Sequence, residues 1–253
     1  MTLTYKTNKR CRQFACYCLM IVVCVLLCLP TQAQHRNDSQ PQSTHKEPPT
    51  PRELITSTDP NLIPESGEYT ADSYANRYFG FRVSFPAEWF AINQTGIKQA
   101  QETGAKLLGV DPKEQERIDH YADKTPTLFS VTQFLRPPPG QMSATVMCLA
   151  EPLTVMNLTP LRYMQAVRDS ALPHMGIKFE VAQDAHTETL GEHSSAAMTV
   201  KVYMADKTFN MMQEYHAVIT HGYVLLFIGG YGTDEQRDQV HKILESVKFD
   251  AAK

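Results

Sequence analysis

Residues 76–89 read NRYFGFRVSFPAEW, and within them Phe79, Phe81, Val83 and Phe85 alternate with Gly80, Arg82 and Ser84. A period of two puts the four apolar side chains on one face of an extended chain, the signature of a half-buried β-strand. Pro86 has no N–H to give to a ladder and ends the strand. Trp89, the only tryptophan of the chain, follows closely and is expected to re-enter the core and cover the strand's end.

The same period recurs downstream. Residues 195–204 place Ala196, Met198, Val200, Val202 and Met204 on one face, and residues 209–219 do so with Phe209, Met211, Tyr215, Ala217 and Ile219. Asp206-Lys207 and His221-Gly222 stand where hairpin turns belong. Residues 223–228, YVLLFI, are apolar on both faces, as in a central strand covered from both sides. Residues 128–135 and 144–150 supply further strands of a largely antiparallel meander.

Helices fill the gaps. Thr159-Pro160 joins a capping side chain to a proline at the first helical position, ahead of the stripe Leu161, Met164, Val167 and Ala171. Thr233-Asp234-Glu235-Gln236 is a capping box ahead of Val240, Ile243 and Leu244. Weaker helical periodicity lies in residues 97–121. The pattern predicts an α+β fold over residues 68–250, a mostly antiparallel sheet sandwiched between helices in an α/β/α arrangement.

The phrase YANRYFGFRVSFPAEW, residues 74–89, resembles the Y-x-N-x-x-F-G-F-x-x-x-x-P-x-x-W opening of PsbP-like proteins. The closing segments GYVLLF (222–227) and LESVKF (244–249) are similar to that group's final strand, helix and S-x-x-F strand. The group includes the extrinsic PsbP subunit of photosystem II, the Mog-type Ran-binding proteins and many secreted bacterial proteins. The resemblance implies an antiparallel sheet between helices and a binding or accessory role; it brings no shared catalytic residues.

The N-terminus predicts a compartment. Lys6, Lys9, Arg10 and Arg12 precede the apolar run CYCLMIVVCVLLCLP (16–30), which is followed by Thr31-Gln32-Ala33. This is the layout of a secretory signal peptide, residues 1–33, with cleavage after Ala33 and a periplasmic or secreted product. The run falls short of the ~20 apolar residues a spanning helix needs, so a membrane association is expected only if the segment is retained as an anchor. Residues 34–67, rich in Pro, Ser, Thr and Gln, read as a disordered tether.

Without residues 1–33 the chain holds 20 basic and 27 acidic side chains, a net charge of −7. That balance argues against a nucleic-acid partner. Five of the six cysteines lie before residue 30, leaving Cys148 with no partner for an intrachain disulfide.

The chemical candidates are weak. His174, His186, His193, His216, His221 and His241 show no H-E-x-x-H or comparable spacing, so neither a metal nor another cofactor is expected. His216, with Glu214 two residues before it on the polar strand face, reads as a solvated cross-strand position. Asp169-Ser170 and His174 offer the residue types of a small secreted hydrolase, the alternative function, without a G-x-S-x-G elbow. In GGYGT (229–233), Gly230, Tyr231, Gly232 and Thr233 join a strand to a helix start, where free N–H groups could hold an anion. The competing reading is a plain turn whose donors the capping box consumes. Met164, Met198, Met204, Met211 and Met212 are expected to fill the core. The sequence therefore favours a non-catalytic binding or accessory protein, its partner an unknown protein or small ligand of the cell envelope.

Overall fold

The alternation read in the opening stretch holds, with Phe79, Phe81, Val83 and Phe85 all buried, but only Phe81–Ser84 (β3) is extended. Gly80 adopts φ +63° just before it, a conformation open to glycine, so the chain turns there and the strand begins later than the pattern suggests. The computed structural model describes residues 62–93, 95–97, 99, 124–138, 141–174, 178–203 and 210–250. The signal segment, most of the tether, the helices read in residues 97–121 (beyond 97 and 99) and the Asp206-Lys207 turn lie outside these residues.

Two antiparallel sheets organise the described residues. The smaller comprises β1 (Gly67–Tyr69), β2 (Ser73–Asn76), β3 and β11 (Lys248–Phe249), in that order. The larger contains β4 (Phe90–Ala91), β5 (Thr127–Thr132), β6 (Thr145–Pro152), β7 (Lys178–Leu190), β8 (His193–Tyr203), β9 (Asn210–Thr220) and β10 (Tyr223–Tyr231). Its order is β4-β5-β6-β10-β9-β8-β7, which puts YVLLFI at the centre, as its two apolar faces require. His221 and Gly222, at φ 51° and 76°, make the tight turn that pairs Tyr223 with Thr220. Residues 62–66 form a turn tied to β2 by Asn76 Nδ2 donating to the Pro64 carbonyl at 2.8 Å.

One face of the large sheet packs on helix α1 (Pro160–Ala166) and the π-helical turn Val167–Ala171 that continues it. Met164, Val167 and Leu172 meet Met198, Met211, Tyr215 and Leu226 there. Thr159 caps α1, its Oγ1 accepting from the Arg162 N–H. The opposite face is shared between helix α2 (Asp234–Glu245) and the small sheet, with Phe81, Val83, Trp89, Val240 and Ile243 packed on Phe129, Cys148 and Phe227. The fold is α+β. Helices do lie on both faces, but β3 and its neighbours form a second sheet across one of them rather than extending the first.

Met164, Met198 and Met211 are buried in the core, while Met204 lies outside the described residues. Trp89 is buried, 4% exposed. No helix among the described residues is long and apolar enough to cross a membrane.

Candidate functional site

Strand β9 alternates between the two cores. Met211, Tyr215 and Ala217 face α1, so Glu214 and His216 fall on the face that carries α2. Their neighbours on β10 are Gly229 and Phe227. A Cβ on Gly229 would stand 2.4 Å from Val240 Cγ1; its absence lets α2 settle directly on β10. His241, the next residue of the helix, thereby reaches Glu214, Nε2 to Oε1 at 2.8 Å.

The remaining member comes from the edge. In β7, His186 pairs with Ala197 and Glu188 with Ser195, while Ala197 pairs with His216. Glu188 thus lies diagonally across from His216 and its Oε1 accepts a short hydrogen bond from His216 Nδ1. His216 Nε2 is 3.9 Å from Glu214 Oε2, His186 Nε2 is 4.0 Å from Glu188 Oε2, and Tyr231 Oη donates to Glu214 Oε1 at 2.6 Å. Glu188, His216, Glu214, His241 and Tyr231 form one connected cluster.

Burial and pairing oppose each other within it. Burial works against the Glu214 carboxylate, but His216, His241 and Tyr231 around it prevail and hold its pKa down at about 2. Burial likewise disfavours a charged His216, yet Glu188 and Glu214 on either side push its pKa up to about 9. At neutral pH His216 is an imidazolium between two carboxylates. Its Nε2 is buried and makes no hydrogen bond among the described residues.

Helix α2 covers β10 and leaves the outer strands open, and between its flank and β7–β9 lies a cleft of about 480 Å³. Gln183, His186, Glu188, Thr199, Glu214 and His216 line it together with Leu190, Ala197, Leu244 and Glu245. The cleft offers carboxylate acceptors and an apolar wall. Among the described residues no group of three His, Cys, Asp or Glu side chains is placed to hold a metal ion.

Of the histidines named from the sequence, His186, His216 and His241 line the cleft, while the residues of the GGYGT turn largely fall elsewhere. Gly230 lies within β10, between Gln213 and Thr145. The Gly232 N–H donates to Gln236 Oε1 at 2.9 Å, and Thr233 Oγ1 accepts from the Gln236 N–H at 3.3 Å, so the turn's own helix engages both. Tyr231 alone joins the cluster. Asp169 pairs with Arg168 at 2.7 Å, on the α1 side of the sheet away from the cleft, and the His174 side chain lies outside the described residues. His193 packs against Phe249 with tilted rings, centroids 4.3 Å apart. His216 lies on the polar strand face as its parity requires, but its side chain is only 14% exposed because β7 and α2 enclose it.

No protein-family model matches the chain, and a search of curated proteins finds no match. Among solved structures, the cyanobacterial PsbP protein CyanoP from Synechocystis sp. PCC 6803 is similar at 12% identity, over 78% of this chain and 99% of that one, with a TM-score of 0.41. LpqN of Mycobacterium tuberculosis, described as involved in cell envelope biogenesis, is similar at 11% identity over 68% of this chain and 83% of its own, TM-score 0.39. The Saccharomyces cerevisiae Ran-binding protein Mog1p is similar at 9% identity over 70% and 94%, TM-score 0.38. No residue of the cleft is assigned from these similarities.

Proposed function

We propose that this chain is an exported, non-catalytic binding protein that holds a small polar ligand in the cleft between α2 and strands β7–β9. The observation that carries the reading is the Glu188–His216–Glu214 cluster, enclosed beside the apolar core that α2 covers. Placing ionised groups there costs folding free energy, and a volume of about 480 Å³ suits a small organic ligand. Export rests on the charged, apolar and small-residue zones of residues 1–33.

Thr199 supplies the test. It pairs with Glu214 across β8 and β9 and lines the cleft without belonging to the charged cluster, so Thr199→Phe fills the space and leaves the charges in place. A thermal-shift screen of the purified protein with small polar compounds should find stabilisers whose effect disappears in Thr199→Phe. Stabilisers that act equally on the variant would move the site elsewhere. Turnover of ester, glycoside or peptide substrates, abolished by Ser170→Ala, would replace binding by hydrolysis.

A further inference from the structure

The cleft's polar lining sets three carboxylates beside the imidazoles of His186, His216 and His241. Glu188, Glu214 and Glu245 supply the carboxylates, and no lysine or arginine among the described residues lines it. Its charged imidazole, His216, is already flanked by Glu188 and Glu214. Glu214 Oε1 accepts from Tyr231 and His241 and Glu188 Oε1 from His216. That leaves Oε2 of Glu188 and of Glu214 4.0 Å and 3.9 Å from the ring nitrogens beside them, beyond hydrogen-bond reach. Two carboxylate oxygens in a partly enclosed space therefore have lone pairs to offer.

An anion entering here would meet three carboxylates and a His216 imidazole whose Nδ1 is already held by Glu188. A polyol hydroxyl would also donate a charge-assisted hydrogen bond to these carboxylates, but only a cation adds direct Coulomb attraction to them. Leu190, Ala197 and Leu244 give a carbon chain a surface to lie on, and the volume exceeds what a bare ion fills.

Resting on the cleft being the binding site, the geometry points to its ligand being a small organic cation, an aliphatic ammonium that donates to Glu188 Oε2 and Glu214 Oε2 with its chain along Leu190, Ala197 and Leu244. Putrescine, butanediol and succinate share one four-carbon chain and differ in charge, so calorimetric titration of the purified protein with each isolates the effect. Putrescine is expected to bind and the other two not to. Glu188→Gln should weaken putrescine by about tenfold or more, the equivalent of one hydrogen bond to a charged group. Thr199→Phe should abolish binding, and its unliganded melting curve shows whether it is folded. Butanediol or succinate binding that Thr199→Phe removes would overturn the cation while keeping the cleft. Putrescine binding that survives both variants, or no putrescine binding at millimolar concentration, overturns the inference itself.

Discussion

Glu214 and His216 stand two residues apart on one strand face with opposite charges, and their ionisation governs how stability responds to pH. His216 is raised from its ordinary 6.5 to about 9, so its contribution is complete below 6.5 and is lost as pH climbs through about 9. Glu214 is lowered from 4.5 to about 2, so its contribution is complete above 4.5 and is lost as pH falls through about 2. Both are in place between these limits, and a series of melting curves should show the protein losing stability on each side of that window. Glu188→Gln should flatten the alkaline limb and cost about 1.5–3 kcal/mol at neutral pH, the range for a hydrogen bond to a charged group. An unchanged alkaline limb would mean that His216 is not held by Glu188. Gly229→Ala should cost about 1–3 kcal/mol, because the added methyl overpacks Val240; a neutral effect would show that α2 does not need the close approach. Parity made the face of Glu214 and His216 legible in the sequence. Their partners were not legible, since Glu188 and His241 stand 28 and 27 residues away from the residues they meet and only pairing register and helix placement bring them in.

At the scale of the element, α2 is the part that both sequence and structure define, because Thr233 and Gln236 cap it locally. Thr233→Ala should cost about 1 kcal/mol, read as a lower melting temperature, and would loosen the helix that delivers His241. Trp89 anchors the end of the first apolar stretch, and Trp89→Ala should cost about 3–5 kcal/mol; an unaffected midpoint would place Trp89 outside the core. Strand β7 was the element the sequence concealed. Its register on β8 shifts between Val181 and Gln183 and again between Gln183 and His186, so the two-residue period breaks and a polar string such as AQDAHTET carries no strand pattern. Bulges of this kind re-aim side chains. Beyond them, His186 and Glu188 stand beside Ala197 and Ser195, so the irregularity that hid the strand also belongs to the edge that builds the cleft. The small sheet escaped for a different reason: the alternation around Phe81 defines a strand but not which strands it joins.

For the whole molecule, two cores on opposite faces of one sheet share its central strands, so they should unfold together. Cys148 is fully buried between β5 and β10 and burial pushes its thiol pKa well up, which makes it a packing residue and not a reactive one. Reductant, chelator and Cys148→Ala should each leave a single cooperative transition nearly unchanged; a large loss with chelator, reversed by one metal, would reveal a centre built by other residues. The claim that the cleft is where this protein binds is tested most directly by amide chemical shifts of the isotope-labelled protein titrated with putrescine. The expected perturbations cluster at residues 183–191, 197–199, 214–216 and 241–245. Perturbations gathered instead at residues 160–172, on the far face of the sheet, would contradict it.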